Sequence, residues 1–125
     1  MELNTFFSHD TDEEIIHAKR LQDLNIWISH LSYATNECDW LTKIASNKIG
    51  DKVLRDKLLE KNEVNSALLN ELYNYKSSIG SFHECDDLEC DLFYINQHDV
   101  FYAKYVKHIE EYRAIKSQVY LKILE

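Results

Sequence analysis

Residues 21–51 read LQDLNIWISHLSYATNECDWLTKIASNKIGD, and the spacing of apolar side chains in this stretch decides the fold class. Apolar or small residues recur at Leu21, Leu24, Ile28, Leu31, Cys38 and Ala45, a three–four alternation broken only by Thr35 and Thr42. Trp27, Ala34 and Leu41 widen the stripe. This is the period of a helix that buries one side. Gly50 supplies a C-terminal stop and Asp51 an N-cap for whatever follows, so the chain is expected to reverse tightly after about Ile49. Upstream, Thr11-Asp12-Glu13-Glu14 has the spacing of a capping box, with acids where a helix dipole favours them. Helix one is therefore predicted to start at Thr11, after an arm over residues 1–10 that carries Phe6 and Phe7.

Downstream, Leu54, Leu58, Leu68 or Leu69, Leu72, Tyr75 and Ile79 define the apolar side of a second helix, interrupted by Asn62 and Asn65. An asparagine buried in such a seam fixes register at some expense of stability. The same spacing runs on through Phe82, His83, Asp86, Cys90 and Phe93, which predicts one long helix with a weak point at Gly80. A break over residues 77–81, giving four helices, is the alternative. Asn96 to Asp99 are turn and capping residues, and Phe101 or Tyr102, Tyr105, Ile109, Tyr112, Ile115, Val119 and Ile123 form a third stripe. The expectation is an all-α, elongated, coiled-coil-like antiparallel three-helix bundle, with residues 11–125 forming a single domain. Helices of this length imply a rod on the order of 60 Å long.

Composition agrees. The chain of 125 residues has no proline and only two glycines, Gly50 and Gly80, too few turn residues for a sheet protein. Its size suits one core. With 22 acidic against 14 basic residues the net charge is −8, which opposes nucleic acid and anionic membrane surfaces as partners. No apolar run approaches the roughly 20 residues that cross a bilayer. Three cysteines, Cys38, Cys85 and Cys90, and an N-terminus without a basic region followed by an apolar one are expected of thiols in a reducing cytoplasm. Charge is uneven along the chain. Residues 80–99 hold six acids and no lysine or arginine, whereas Lys43, Lys48, Lys52, Arg55, Lys57 and Lys61 gather near the first turn. A rod with an acidic zone and a more basic tip follows.

One constellation suggests chemistry. If helices one and two reverse about Gly50, His17 lies level with His83; if helices two and three reverse about Gln97, Asp86 lies level with His108. Glu14 and His17, His83 and Asp86, and His108 and Glu111 then share a layer, with Cys90 one turn further on. Imidazole and carboxylate pairs projecting into a bundle are the donor set of di-iron sites and suit zinc or manganese as well. His17, His83, Asp86, Cys90 and His108 are accordingly the candidate ligands for zinc, iron or manganese. No glycine-rich phosphate loop, Gly-x-Ser-x-Gly elbow or Cys-x-x-Cys pair occurs, so no catalytic residues and no organic cofactor are indicated. Cys85 and Cys90, five apart and among acids, suit neither an intrahelical disulfide nor a nucleophile.

Eight tyrosines and two tryptophans remain, with Tyr94, Tyr102 and Tyr105 clustered and Trp27 and Trp40 on different sides of helix one. Aromatics outside the seam are what a protein partner or a second copy would cover. From about Leu21 onward, the tryptophan-centred first helix (Leu24, Trp27, Leu31, Leu41), His83 in the second helix and the spacing His98, Tyr105, Tyr112, Lys116 in the third resemble small uncharacterised bacterial helical-bundle proteins. The resemblance implies a helical hairpin with an added third helix, and it brings neither an assigned activity nor catalytic residues. The functional expectation is a non-enzymatic bundle acting through protein contacts, as a homodimer or an adaptor, with a transition-metal-binding bundle as the rival. A nucleic-acid regulator using the tip from Lys43 to Lys61 is opposed by the net charge and lacks arginine clusters and stacking aromatics.

Overall fold

The computed structural model describes residues 9–79 and 88–125. They form α1 (His9–Ile44), a π-helical turn (Ala45–Ile49), α2 (Lys52–Ile79) and α3 (Leu88–Leu124), with no strand among them. The all-α three-helix bundle read from the sequence is the fold. Because α1 is already helical at His9, Thr11 lies within the helix and is not its N-cap.

The first reversal forms as its residues dictate. The last turn of the first helix widens to π geometry, and Gly50 takes a left-handed φ of 71°, a conformation in which glycine has no Cβ to clash. The Ala45 carbonyl accepts both the Gly50 and the Asp51 backbone N–H, the latter at 2.9 Å, satisfying an end that otherwise lacks partners. Asp51 then caps α2 by accepting the Leu54 N–H at 3.0 Å.

The second reversal differs from expectation. α2 ends at Ile79 and α3 is already helical at Leu88, so Asn96 to Asp99 lie inside α3 and not in a turn. Helix two does not run on to Phe93 as one helix, since Tyr75 of α2 and His98 of α3 meet across the bundle; the weak point expected at Gly80 lies outside the described residues. The tertiary environment explains why polar residues remain helical there: His98 is buried and accepts or donates at Nδ1 to the Tyr75 hydroxyl at 2.9 Å. A buried partner outweighs the modest turn preference of such residues.

The contacts set the register. Asn65 meets Leu31 and Cys38 meets Leu58, so α1 and α2 are antiparallel with level positions summing to about 100, as expected. Asn65 meets His108 and Tyr75 meets His98, which shifts the α2–α3 pairing by about twenty residues from that given by a turn at Gln97. α1 and α3 run parallel: His30 lies beside Tyr105 and Glu37 beside Tyr112. Two apolar clusters fill the bundle. One joins Leu24, Trp27, Leu31, Leu68, Leu72 and Ile109; the other joins Cys38, Leu41, Leu54, Leu58, Tyr112 and Val119.

Candidate functional site

Between the two clusters sits a polar layer. Asn65 is 2% exposed, and its amide donates to the Leu31 carbonyl and to Thr35 Oγ1, both at 2.9 Å. With both N–H groups committed, its Oδ1 accepts from His108 Nε2 at 2.8 Å, which fixes the imidazole as the Nε2–H tautomer. Burial, then the nearby Lys61 ammonium, lowers the His108 pKa. A second junction joins Tyr75, His98 and Asp23. His98 Nε2 faces the Asp23 carboxylate at 3.5 Å, at the edge of hydrogen bonding, and the ring lies 4.9 Å from that of Trp27. Burial lowers its pKa although Asp23 pulls the other way. A third joins Glu37 to Tyr112 Oη at 2.6 Å and to Lys116 Nζ at 2.9 Å. Burial pushes the Glu37 carboxyl up, but these two donors more than offset it and hold it below its ordinary value. The three junctions lock α3 against the hairpin, and they leave two buried imidazole nitrogens, His98 Nε2 and His108 Nδ1, short of a hydrogen-bond partner.

The sequence-predicted metal ligands are not assembled into one layer. His83 and Asp86 lie outside the described residues. His17 and Cys90 fall at the same end of the bundle, whereas the α1–α3 register sets His108 about 16 residues further along, roughly 24 Å away. Cys90 is disulfide-bonded, so the expectation of a thiol there does not hold, and its sulfur in that state is not a thiolate ligand. No group of three or more histidine, cysteine, aspartate or glutamate side chains suited to a metal occurs among the described residues. Cys38 is a buried free thiol whose pKa is pushed up to about 11 by burial, and it donates to the Leu58 carbonyl.

The feature that the interior does not use is the far side of α1. At 100° per residue, positions 15, 18, 22, 26, 29, 33, 36 and 40 fall within an arc of about 80°. They are Ile15, Ala18, Gln22, Ile26, Ser29, Tyr33, Asn36 and Trp40, all exposed and none charged. The buried heptad Leu24, Leu31, Cys38 and Ala45 points the opposite way. Ile15, Ile26, Tyr33 and Trp40 are 54%, 57%, 57% and 51% exposed, and the last two rings meet edge to face at 6.1 Å. A shallow groove of about 900 Å³ runs over this side, lined by Ala18, Leu21, Gln22, Ile26, His30 and Tyr33.

The other helices lack an equivalent strip. On α2 the exposed Val53, Leu59, Val64 and Tyr73 are interleaved with Lys57, Glu60, Glu63 and Glu71, and on α3 Val100, Tyr102 and Tyr120 are separated by Lys104, Lys107 and Glu110. Of the two tryptophans, Trp27 is core and Trp40 is outside it, as their opposite positions on helix one required. The tyrosine cluster thought to mark a contact surface is divided: Tyr105 stacks on Trp27 and bonds His30 Nδ1 at 2.6 Å, while Tyr102 remains half-exposed. Neither a family model, a curated protein nor a solved structure matches the chain. No described helix is long and apolar enough to cross a membrane.

Proposed function

We propose that the protein is a non-enzymatic helical contact module: α2 and α3 hold α1 by one side so that its other side is presented to a protein. The observation that carries this reading is the eight-residue uncharged arc on α1, in a chain of which 29% of residues are charged. A helix with an uncharged, partly apolar strip opposite its buried side has a second surface suited to being covered. The interior supports the same view, because its histidines and Glu37 are spent on register and on holding α3 in place. The net charge of −8 turns the module towards protein and away from nucleic acid or anionic lipid. In cells, a photo-cross-linking amino acid at position 26 is expected to give discrete protein adducts, while the same group at the exposed position 60 of α2 gives none. Adducts equally abundant from both positions, or from neither, would refute the contact role of this face.

A further inference from the structure

Resting on that reading, we infer that the occupant of the α1 strip is the same strip of a second copy of this chain, packed antiparallel about a two-fold axis near Ile28. In that arrangement positions summing to about 55 lie level, and large residues of one copy face smaller or linear ones of the other. Trp40 sits against Ile15, Tyr33 against Gln22, and Ile26 against Ser29. Pairing the strips in parallel would instead stack Trp40 on Trp40 and Tyr33 on Tyr33.

Charge selects the orientation at two ranges. At close range, residues flanking a seam on one side meet those flanking it on the same side in an antiparallel pair. Glu14 and Lys43 both flank the strip on the side of Asn25, both are exposed, and the antiparallel register sets Glu14 of one copy near Lys43 of the other, twice by symmetry, in competition with the exposed Lys43–Asp39 pair within each α1 at 3.2 Å. At long range, Asp12 and Glu14 of α1 lie at the same end as Glu89 of α3, whereas at the other end Lys43, Lys48, Lys52, Arg55 and Lys57 alternate with Asp39, Asp51 and Asp56, which makes that end the less acidic of the two. Antiparallel pairing lays the acidic end beside the less acidic one; parallel pairing would put two acidic ends together. For a chain of net charge −8, the uncharged arc is also where a second copy approaches with least repulsion.

The size fits a reversible dimer. From Ile15 to Trp40 the strip is roughly 38 Å long and about one helix, or 10 Å, wide. At roughly 380 Å² per partner the seam falls below the about 800 Å² that stable interfaces cover, so the dimer is a weak, concentration-dependent one.

The test uses the intact native chain. Sedimentation across a concentration series is expected to show a monomer–dimer equilibrium, with Ile26→Glu weakening association at least ~tenfold while leaving helicity unchanged, since a charge would be buried in the seam. A zero-length carbodiimide cross-link between Glu14 and Lys43 decides orientation, because the two residues are about 44 Å apart along one α1 and can be joined only between antiparallel copies. That link, confined to the dimer fraction and lost with Ile26→Glu, supports the proposal. A dimer lacking it, or one indifferent to Ile26→Glu, overturns it. A strictly monomeric chain that still gives adducts from position 26 in cells overturns self-pairing and leaves the contact role standing; a monomer giving none overturns both.

Discussion

Asn65 shows how one residue sets the register of all three helices. It reaches the α1 backbone with its amide N–H groups and takes the His108 N–H of α3 with its oxygen, so any slip of one helix leaves a buried polar atom unpaired. Asn65→Ala is expected to lower unfolding free energy by about 1–3 kcal/mol, since it strands the His108 donor and opens space in the core. Asn65→Leu combined with His108→Leu removes both partners and should recover most of that loss, provided apolar side chains fill the layer. Urea denaturation of the three proteins checks this. Equal destabilisation by the single and double variants would mean that the layer is not a coupled unit. That a buried asparagine would fix register was legible from the interrupted stripe of helix two. Its imidazole partner was not, because pairing with His108 depends on where the chain reverses.

At the scale of the element, the two reversals separate what local sequence specifies from what it does not. Gly50 and Asp51 carry their geometry in their own chemistry: a left-handed φ and a side-chain cap. Gly50→Ala meets no atom within 4 Å, so its expected loss of about 1 kcal/mol is backbone strain alone. Asp51→Ala should lower stability through the missing cap. It also frees Lys122, which bonds Asp51 Oδ2 at 3.0 Å and thereby ties the end of α3 to the first reversal. Thermal unfolding of both variants tests these losses, and an unchanged melting temperature in either would contradict the local account. The second reversal was misplaced because Asn96 to Asp99 resemble a turn when read alone, yet His98 is held by Tyr75 and Asp23 from two other helices. The expected levelling of His17 with His108 fell with that error, because the α1–α3 register sets His108 about 16 residues beyond the level of His17; His83 and Asp86 lie outside the described residues. The outer strip of α1 was half legible. That Trp27 and Trp40 lie on different sides of helix one placed one tryptophan outside the seam, but the uncharged continuity of that outer side emerges only once the buried side is known.

For the whole molecule, three partly or fully buried imidazoles join α3 to the hairpin, and their titration makes docking sensitive to acid. Burial is the largest cause lowering the pKa of His30, His98 and His108 from the ordinary value of 6.5. Their pKa values are lower folded than unfolded, so between those values the unfolded chain binds more protons and stability rises with pH. The contribution is therefore complete above pH 6.5 and is lost progressively as pH falls below it. Glu37, Asp51 and Glu111, whose carboxyls are held below ordinary values of 4.5, 3.8 and 4.5, add a second loss only in more acid solution. Over the first window the negative net charge also shrinks, which relieves self-repulsion and acts in the opposite direction. Working in high salt screens that repulsion and leaves the buried histidines as the main variable. The denaturation midpoint is then expected to be flat from neutral to mildly alkaline pH and to fall as the solution is taken from pH 6.5 towards 5. A midpoint constant through that interval would show that the imidazoles are protonated in the folded bundle at no expense, and the view of α3 as a helix latched by neutral histidines would fail.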